Sequence, residues 1–126
     1  LSNGTPGIMQ GMKTYLLQSE DGAKSLGGNS LGAGIQYFGV GPLHSYLHDQ
    51  KAVTYTSATD SEILNAYKMI AKYEGISSAL EPMAAAAHLI KIAKDKPKDF
   101  LICLSLCGRG EKDLDTLEQH IGKDFE

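Results

Sequence analysis

The pattern of apolar and polar positions changes along this chain, and each change marks an element. Residues 12–18, Met-Lys-Thr-Tyr-Leu-Leu-Gln, read as a strand. The stretch Ser19-Glu20-Asp21-Gly22 follows, and Asp-Gly is a strong hairpin signal because glycine accepts φ > 0. Residues 23–26 are then the expected return strand. Residues 27–41 form a long loop containing Gly27, Gly28, Gly32, Gly34, Gly39 and Gly41. Long loops in compact domains are usually functional or disordered, and the pair Tyr37-Phe38 favours order here.

From Gly41-Pro42 the period becomes helical. A short helix starts at the proline, whose missing N–H costs little there, and ends near Asp49. Leu43, Tyr46 and Leu47 share one of its faces. Residues 52–57, Ala-Val-Thr-Tyr-Thr-Ser, read as a strand. Thr59-Asp60-Ser61-Glu62 is a capping box, opening a helix with Ile63, Ala66, Tyr67, Ile70 and Ala71 inward and Gly75 as its stop. A second helix begins around Ser78 to Pro82, runs through Ala84 to Ala87, and ends before Lys96-Pro97. Phe100-Leu101-Ile102-Cys103-Leu104-Ser105-Leu106 has the continuous apolar pattern of a strand buried on both faces of a parallel sheet. Asp113 can cap a last helix with Leu114, Leu117 and Ile121 inward. The fold class expected is α/β: a β-hairpin, two parallel strands and flanking helices.

Composition narrows the function classes. A length of 126 residues suits one domain, and such a chain can bury roughly two thirds of its unfolded surface. Ten of the 14 glycines fall in the first 41 residues, which singles out that region. A net charge of −3 argues against nucleic-acid and anionic-membrane partners, and the apolar runs are too short to span a bilayer. The chain opens Leu1-Ser2-Asn3-Gly4 with no signal-peptide core, so residue 1 need not be where translation starts. Two cysteines exclude a disulfide scaffold.

Several features could carry chemistry. Leu106-Cys107-Gly108-Arg109-Gly110 leaves the end of the last strand, where α/β folds bind ligands. It is also compatible with an ordinary strand–helix turn, since Asp113 stands where a dinucleotide fingerprint needs its third glycine. Cys103 reads as a core residue, and Cys107, though it sits where a side chain can reach a ligand, reads by itself as structural. Glu81 completes a Ser78-x-x-Glu81 capping box, or it aims a carboxylate into a cleft. His44, His48, His88 and His120 lack ligand spacing, and Lys13 reads as a surface lysine on a strand. The loop 32–42 alternates glycines so that carbonyls could coordinate a cation, or it is simply a tight structural loop.

These blocks occur together in a recognisable order. Gly11-Met12-Lys13-Thr14-Tyr15-Leu16-Leu17-Gln18, Asp21-Gly22, Ser30-x-x-Ala33-Gly34, Val40-Gly41-Pro42-x-His44-Ser45-Tyr46-Leu47, Thr59-Asp60, Glu74-Gly75-Ile76, Ala79-Leu80-Glu81 and Gly108-Arg109-Gly110-x-Lys112-Asp113 follow one another. Over about residues 8–117 their spacing resembles the C-terminal part of the tryptophan synthase β chain. The resemblance implies that residues 1–126 are one segment of a fold-type II pyridoxal-phosphate enzyme. That family replaces the hydroxyl of L-serine with indole to make L-tryptophan. It further implies that Glu81 lies by the phenolic oxygen of pyridoxal phosphate, with Cys107 and Gly108 at the pyridine-nitrogen side. Gly34, Gln36, Met9 and Gln10 would face substrate or the indole tunnel. Ile35, Tyr37 and Gly39 would offer carbonyls to a monovalent cation.

The resemblance also sets limits. The family's Schiff-base lysine, phosphate cradle and acid–base glutamate precede the matched part, and Lys13 does not match that lysine. The isolated chain is therefore expected to be inactive, with the missing N-terminal part of the β chain as its partner. A homo-oligomer, contact with a tryptophan synthase α chain and a cytoplasmic location are further expectations, with a plastid or other compartment still open. Three positions depart from the family: Cys107 replaces serine, Gln36 replaces an aspartate, and Pro82-Met83-Ala84 replaces Ser-Ser-His. These departures support a second reading, a non-catalytic β-chain-like oligomeric binding module. A third, resting on the Gly108 to Gly110 turn alone, is an independent anion-binding α/β module.

Overall fold

A computed structural model describes residues 1–122. They form an α/β chain with one two-stranded antiparallel sheet and four α-helices. The chain divides into two compact units. The first comprises Leu1–Asn29 and Gly34–Ser57, and the second comprises Ser30–Ala33 and Ala58–Glu126.

In the first unit β1 (Thr5–Met9) pairs with β2 (Met12–Leu16), Thr5 opposite Leu16 and Met9 opposite Met12. Gln10 and Gly11 turn the chain with φ of 49° and 80°. Two successive positive φ values are the type I′ requirement, and that turn matches the twist of the strands it joins. The strand at residue 12 is thus where expected, but its partner precedes it. The Asp21-Gly22 turn closes only a single bridge, Gln18 to Ser25, because the exposed residues 23–26 have no apolar face to bury. The loop 27–41 is ordered by a 3₁₀ turn at Ala33–Ile35 and by backbone bonds described below.

Helix α1 (Pro42–Asp49) starts at the proline as expected but docks by a different face. Leu43 and Tyr46 are exposed, and Ser45 is buried against β2. The reason is polar. Thr14 Oγ1 donates to the Val40 carbonyl (2.6 Å) and lies 2.7 Å from Ser45 Oγ, while the Tyr15 N–H donates to Ser45 Oγ at 3.1 Å. With its one proton on Val40, Thr14 accepts the proton of Ser45, so each buried hydroxyl is satisfied.

The second unit is built on α2 (Asp60–Glu74) and α3 (Leu80–Ala93), which pack together. The Thr59 capping box is complete, and Gly75 ends α2 in the left-handed region at φ 67°. Ile63, Leu80 and Met83 are fully buried at the centre of this unit. Each such side chain is worth roughly 1.5–3 kcal/mol relative to exposure. A 3₁₀ turn (Gly110–Asp113) leads into α4 (Leu114–Ile121), which buries Leu117 and Ile121 but leaves Leu114 exposed. Near the start of α2, Asp60 Oδ1 accepts from Ser30 Oγ (2.8 Å) and the Leu31 N–H (3.2 Å), strapping residues 30–31 to the helix.

Three further expectations change. The two parallel strands, residues 52–57 and 100–106, are not formed; both stretches carry no ladder. A doubly buried strand needs a neighbour on each side, and the described residues supply none to residues 100–106, where Leu101 is 94% exposed. Ser78 does not cap α3, because its hydroxyl donates instead to the Cys107 carbonyl at 3.0 Å. Asp113 does not cap α4 with its side chain; it accepts the N–H of Leu80 in the first turn of α3 at 2.8 Å.

Candidate functional site

The residues singled out by sequence fall into two groups, one in each unit. In the first unit the turn and the glycine-rich loop bring Met9 beside Gly39. A Cβ at Gly39 would stand 2.8 Å from Met9 Sδ and 2.7 Å from a Leu16 methyl, so a side chain there would push the ends of Met9 and Leu16 aside. Gly28 is the more stringent case, because a Cβ there would meet the backbone of Gln36 at 2.8 Å. Gln10 is exposed at the hairpin turn, and Gly34 sits in the 3₁₀ turn.

Backbone bonding along this loop alternates. The carbonyl of Gln36 accepts from the Gly28 N–H (2.9 Å), that of Phe38 from the Leu17 N–H (2.6 Å), and that of Val40 from Thr14 Oγ1. In extended chain successive carbonyls point to opposite sides, so one set of carbonyls faces β2 and its surroundings. Tyr37 and Gly39 belong to the other set, while Ile35 lies in the 3₁₀ turn, outside this alternation. A cleft of about 170 Å³ lies beside Tyr37, Phe38 and Gly39. Among the described residues no cluster of three or more His, Cys, Asp or Glu side chains could hold a metal ion.

In the second unit the start of α3 meets the segment around Cys107. Gly108 has φ 73°, and a Cβ there would stand 2.8 Å from the Ala79 Cβ. That close approach and the Ser78 to Cys107 bond place Cys107-Gly108 against the turn that leads to Glu81. Both cysteines are exposed and unbridged. Of the run Pro82-Met83-Ala84, Pro82 and Met83 are buried and Ala84 is half-buried.

Sequence reasoning missed Lys112. Its Nζ lies 2.9–3.0 Å from both Glu81 carboxylate oxygens and 2.8 Å from both Asp113 oxygens. Partial burial pulls its pKa down, but the bonds and charges of Asp113 and Glu81 outweigh this and hold it above the ordinary amine value. Lys112 is therefore a fixed ammonium, not a nucleophilic amine. The signal was Lys112-Asp113 after Gly108-Arg109-Gly110, but adjacent residues pair across to another element only when a turn aims them together.

No protein-family model matches the chain. Curated relatives do, over nearly all of it. It is 48% identical over 125 residues to the "Tryptophan synthase beta chain" of Dinoroseobacter shibae, covering 99% of this chain and 30% of that one. The chain is similar over nearly all its length to tryptophan synthase beta chains. The Cereibacter sphaeroides beta chain is 47% identical over 125 residues, again 99% of this chain and 30% of the relative. That of Roseobacter denitrificans is 48% identical over 122 residues, 97% and 30% respectively. The chain thus spans about 30% of the length of the beta chains it matches, consistent with a C-terminal portion of them. No helix among the described residues is long and apolar enough to cross a membrane.

Proposed function

We propose that this chain is the C-terminal, fold-type II portion of a tryptophan synthase beta chain. In that reading it works only with the preceding portion, in replacement of the L-serine hydroxyl by indole. The observation that carries the reading is 45–48% identity across the whole chain to beta chains roughly three times longer.

Pyridoxal phosphate is the cofactor this reading implies, and the residues present suit one edge of its ring. The Gly108 to Ala79 approach puts an exposed thiol and a helix-start carboxylate on adjoining segments. Glu81 would accept at the phenolic oxygen, Cys107 would give a weak donor at the pyridine nitrogen, and Gly108 would let the backbone come close. Bound pyridoxal phosphate supplies the electron sink that makes exchange at an amino-acid β-carbon feasible. In this reading the covalent anchor and phosphate cradle come from the preceding portion, and Lys112, bonded to two carboxylates, is not the anchor. In the first unit, Ile35, Tyr37 and Gly39 would present carbonyls to a monovalent cation. The bonded state of the Gln36, Phe38 and Val40 carbonyls supports that assignment. Gly34, Gln36, Met9 and Gln10 would line the substrate side. A second copy and an α chain are further partners of the assembled enzyme in this reading.

The test is complementation. Mixing the chain with a separately made N-terminal portion of a beta chain should produce cofactor absorbance and indole-dependent serine turnover. Neither portion should do so alone. No gain on mixing overturns the reading in favour of a non-catalytic binding module, which the Gln36 and Cys107 departures favour.

A further inference from the structure

We propose that Lys112 is a positioning residue for Glu81, fixing its carboxylate in one orientation with its charge already balanced. The inference deepens the proposed function, because it rests on Glu81 facing the cofactor. The geometry is a chain of three links. Asp113, whose side chain is only 6% exposed, anchors to the first turn of α3 through the Leu80 N–H. Lys112 is gripped by both Asp113 oxygens at 2.8 Å. Its ammonium then reaches both oxygens of Glu81, whose side chain is 22% exposed.

The arrangement acts on Glu81 in two ways. A carboxylate held by one hydrogen bond at Oε1 and a close ion-pair contact at Oε2 to a cation that is itself anchored loses rotamer freedom, so its direction is set before any ligand arrives. An adjacent ammonium also favours the ionised form, keeping Glu81 an acceptor. Asp113 spares Lys112 from being drawn away, since its own carboxylate is tied to backbone. The 3₁₀ turn Gly110–Asp113 matters because it sets these two side chains on one side, facing α3. Glu81, Lys112 and Asp113 are the charged groups these contacts link.

The experiment has two arms. In the first, the Glu81 carboxyl of the 126-residue chain is titrated by carbon-13 NMR. Its midpoint should rise by about half a unit or more in Lys112→Gln, and stay near the parent value in Lys112→Arg. If Lys112→Gln does not fold, the unmodified chain titrated in low and in about 1 M salt gives the same reading. Screening should raise the midpoint, the pair being partly exposed. A midpoint unmoved by both substitution and salt overturns the role of Lys112. In the second arm, the chain complemented with the N-terminal portion is loaded with pyridoxal phosphate. Lys112→Gln should shift the cofactor's absorption band and weaken its binding several-fold, with Lys112→Arg restoring both. Equal spectra and affinities in Gln, Arg and parent overturn the positioning role even if the titration moved. Absence of any cofactor band in the parent complex instead overturns the proposed function, and with it the cofactor half of this inference.

Discussion

Single residues decide how close the backbone can come at the two candidate regions. Gly28, Gly39 and Gly108 each occupy a place where a Cβ would stand 2.7–2.8 Å from another atom. The glycine skew was visible in the sequence, but which glycines matter was not, because that depends on what lies opposite. Glu81 and Cys107 could be picked out by residue type and order. Lys112 could not, since its partners lie 31 positions away at Glu81 and next door at Asp113. Cys107 carries a prediction at this scale. A hydroxyl is a better donor than a thiol, so Cys107→Ser in the complemented enzyme should raise serine–indole turnover and move the cofactor spectrum. Unchanged kinetics and spectrum would remove Cys107 from the ring.

At the scale of elements, the helices and β2 were legible, and the other strand expectations were not. A helix can carry its start and stop in a few neighbouring residues, as Thr59 to Glu62 and Gly75 do for α2, although α3 and α4 start without the side-chain caps expected of Ser78 and Asp113. A strand is completed by something distant. β1 was hidden because Pro6 and Gly7 are poor strand residues, yet the Gln10-Gly11 turn folds them onto β2. Residues 100–106 have the composition of a central strand, written for neighbours that the described residues do not include. The capping box gives a test. Thr59→Ala should cost about 1 kcal/mol in urea unfolding, read from the midpoint at unchanged slope. Glu62 adds pH dependence. The hydrogen bond from Lys91, then the backbone N–H of Thr59, holds its carboxyl below the usual range. A depressed folded pKa gives a stabilisation present above the unfolded value near 4 and lost as pH falls through the folded one. The unfolding midpoint should therefore decline below about pH 4, and less steeply in Glu62→Gln.

For the molecule as a whole, the exposed apolar segment sets behaviour in solution. Ile102 and Leu104 line a groove of about 540 Å³ with Ile70, Tyr73, Leu89 and Ile90, and Leu101 is almost fully exposed. Unpaired strand-like edges and apolar patches recruit whatever can cover them. The isolated chain should self-associate in light scattering, and Leu101→Lys should lower the average mass. A clean monomer of the parent chain would count against this. The strap at Asp60 has a consequence for any attempt to divide the protein. The chain passes from the first unit to the second after Asn29, returns after Ala33, and leaves again after Ser57. The two units are therefore interleaved in the gene, like stitches rather than beads. A cut between residues 57 and 58 would strand Ser30 and Leu31 on the wrong fragment and leave Asp60 without them. Recombination within this segment can exchange both units together, but it cannot cleanly exchange one.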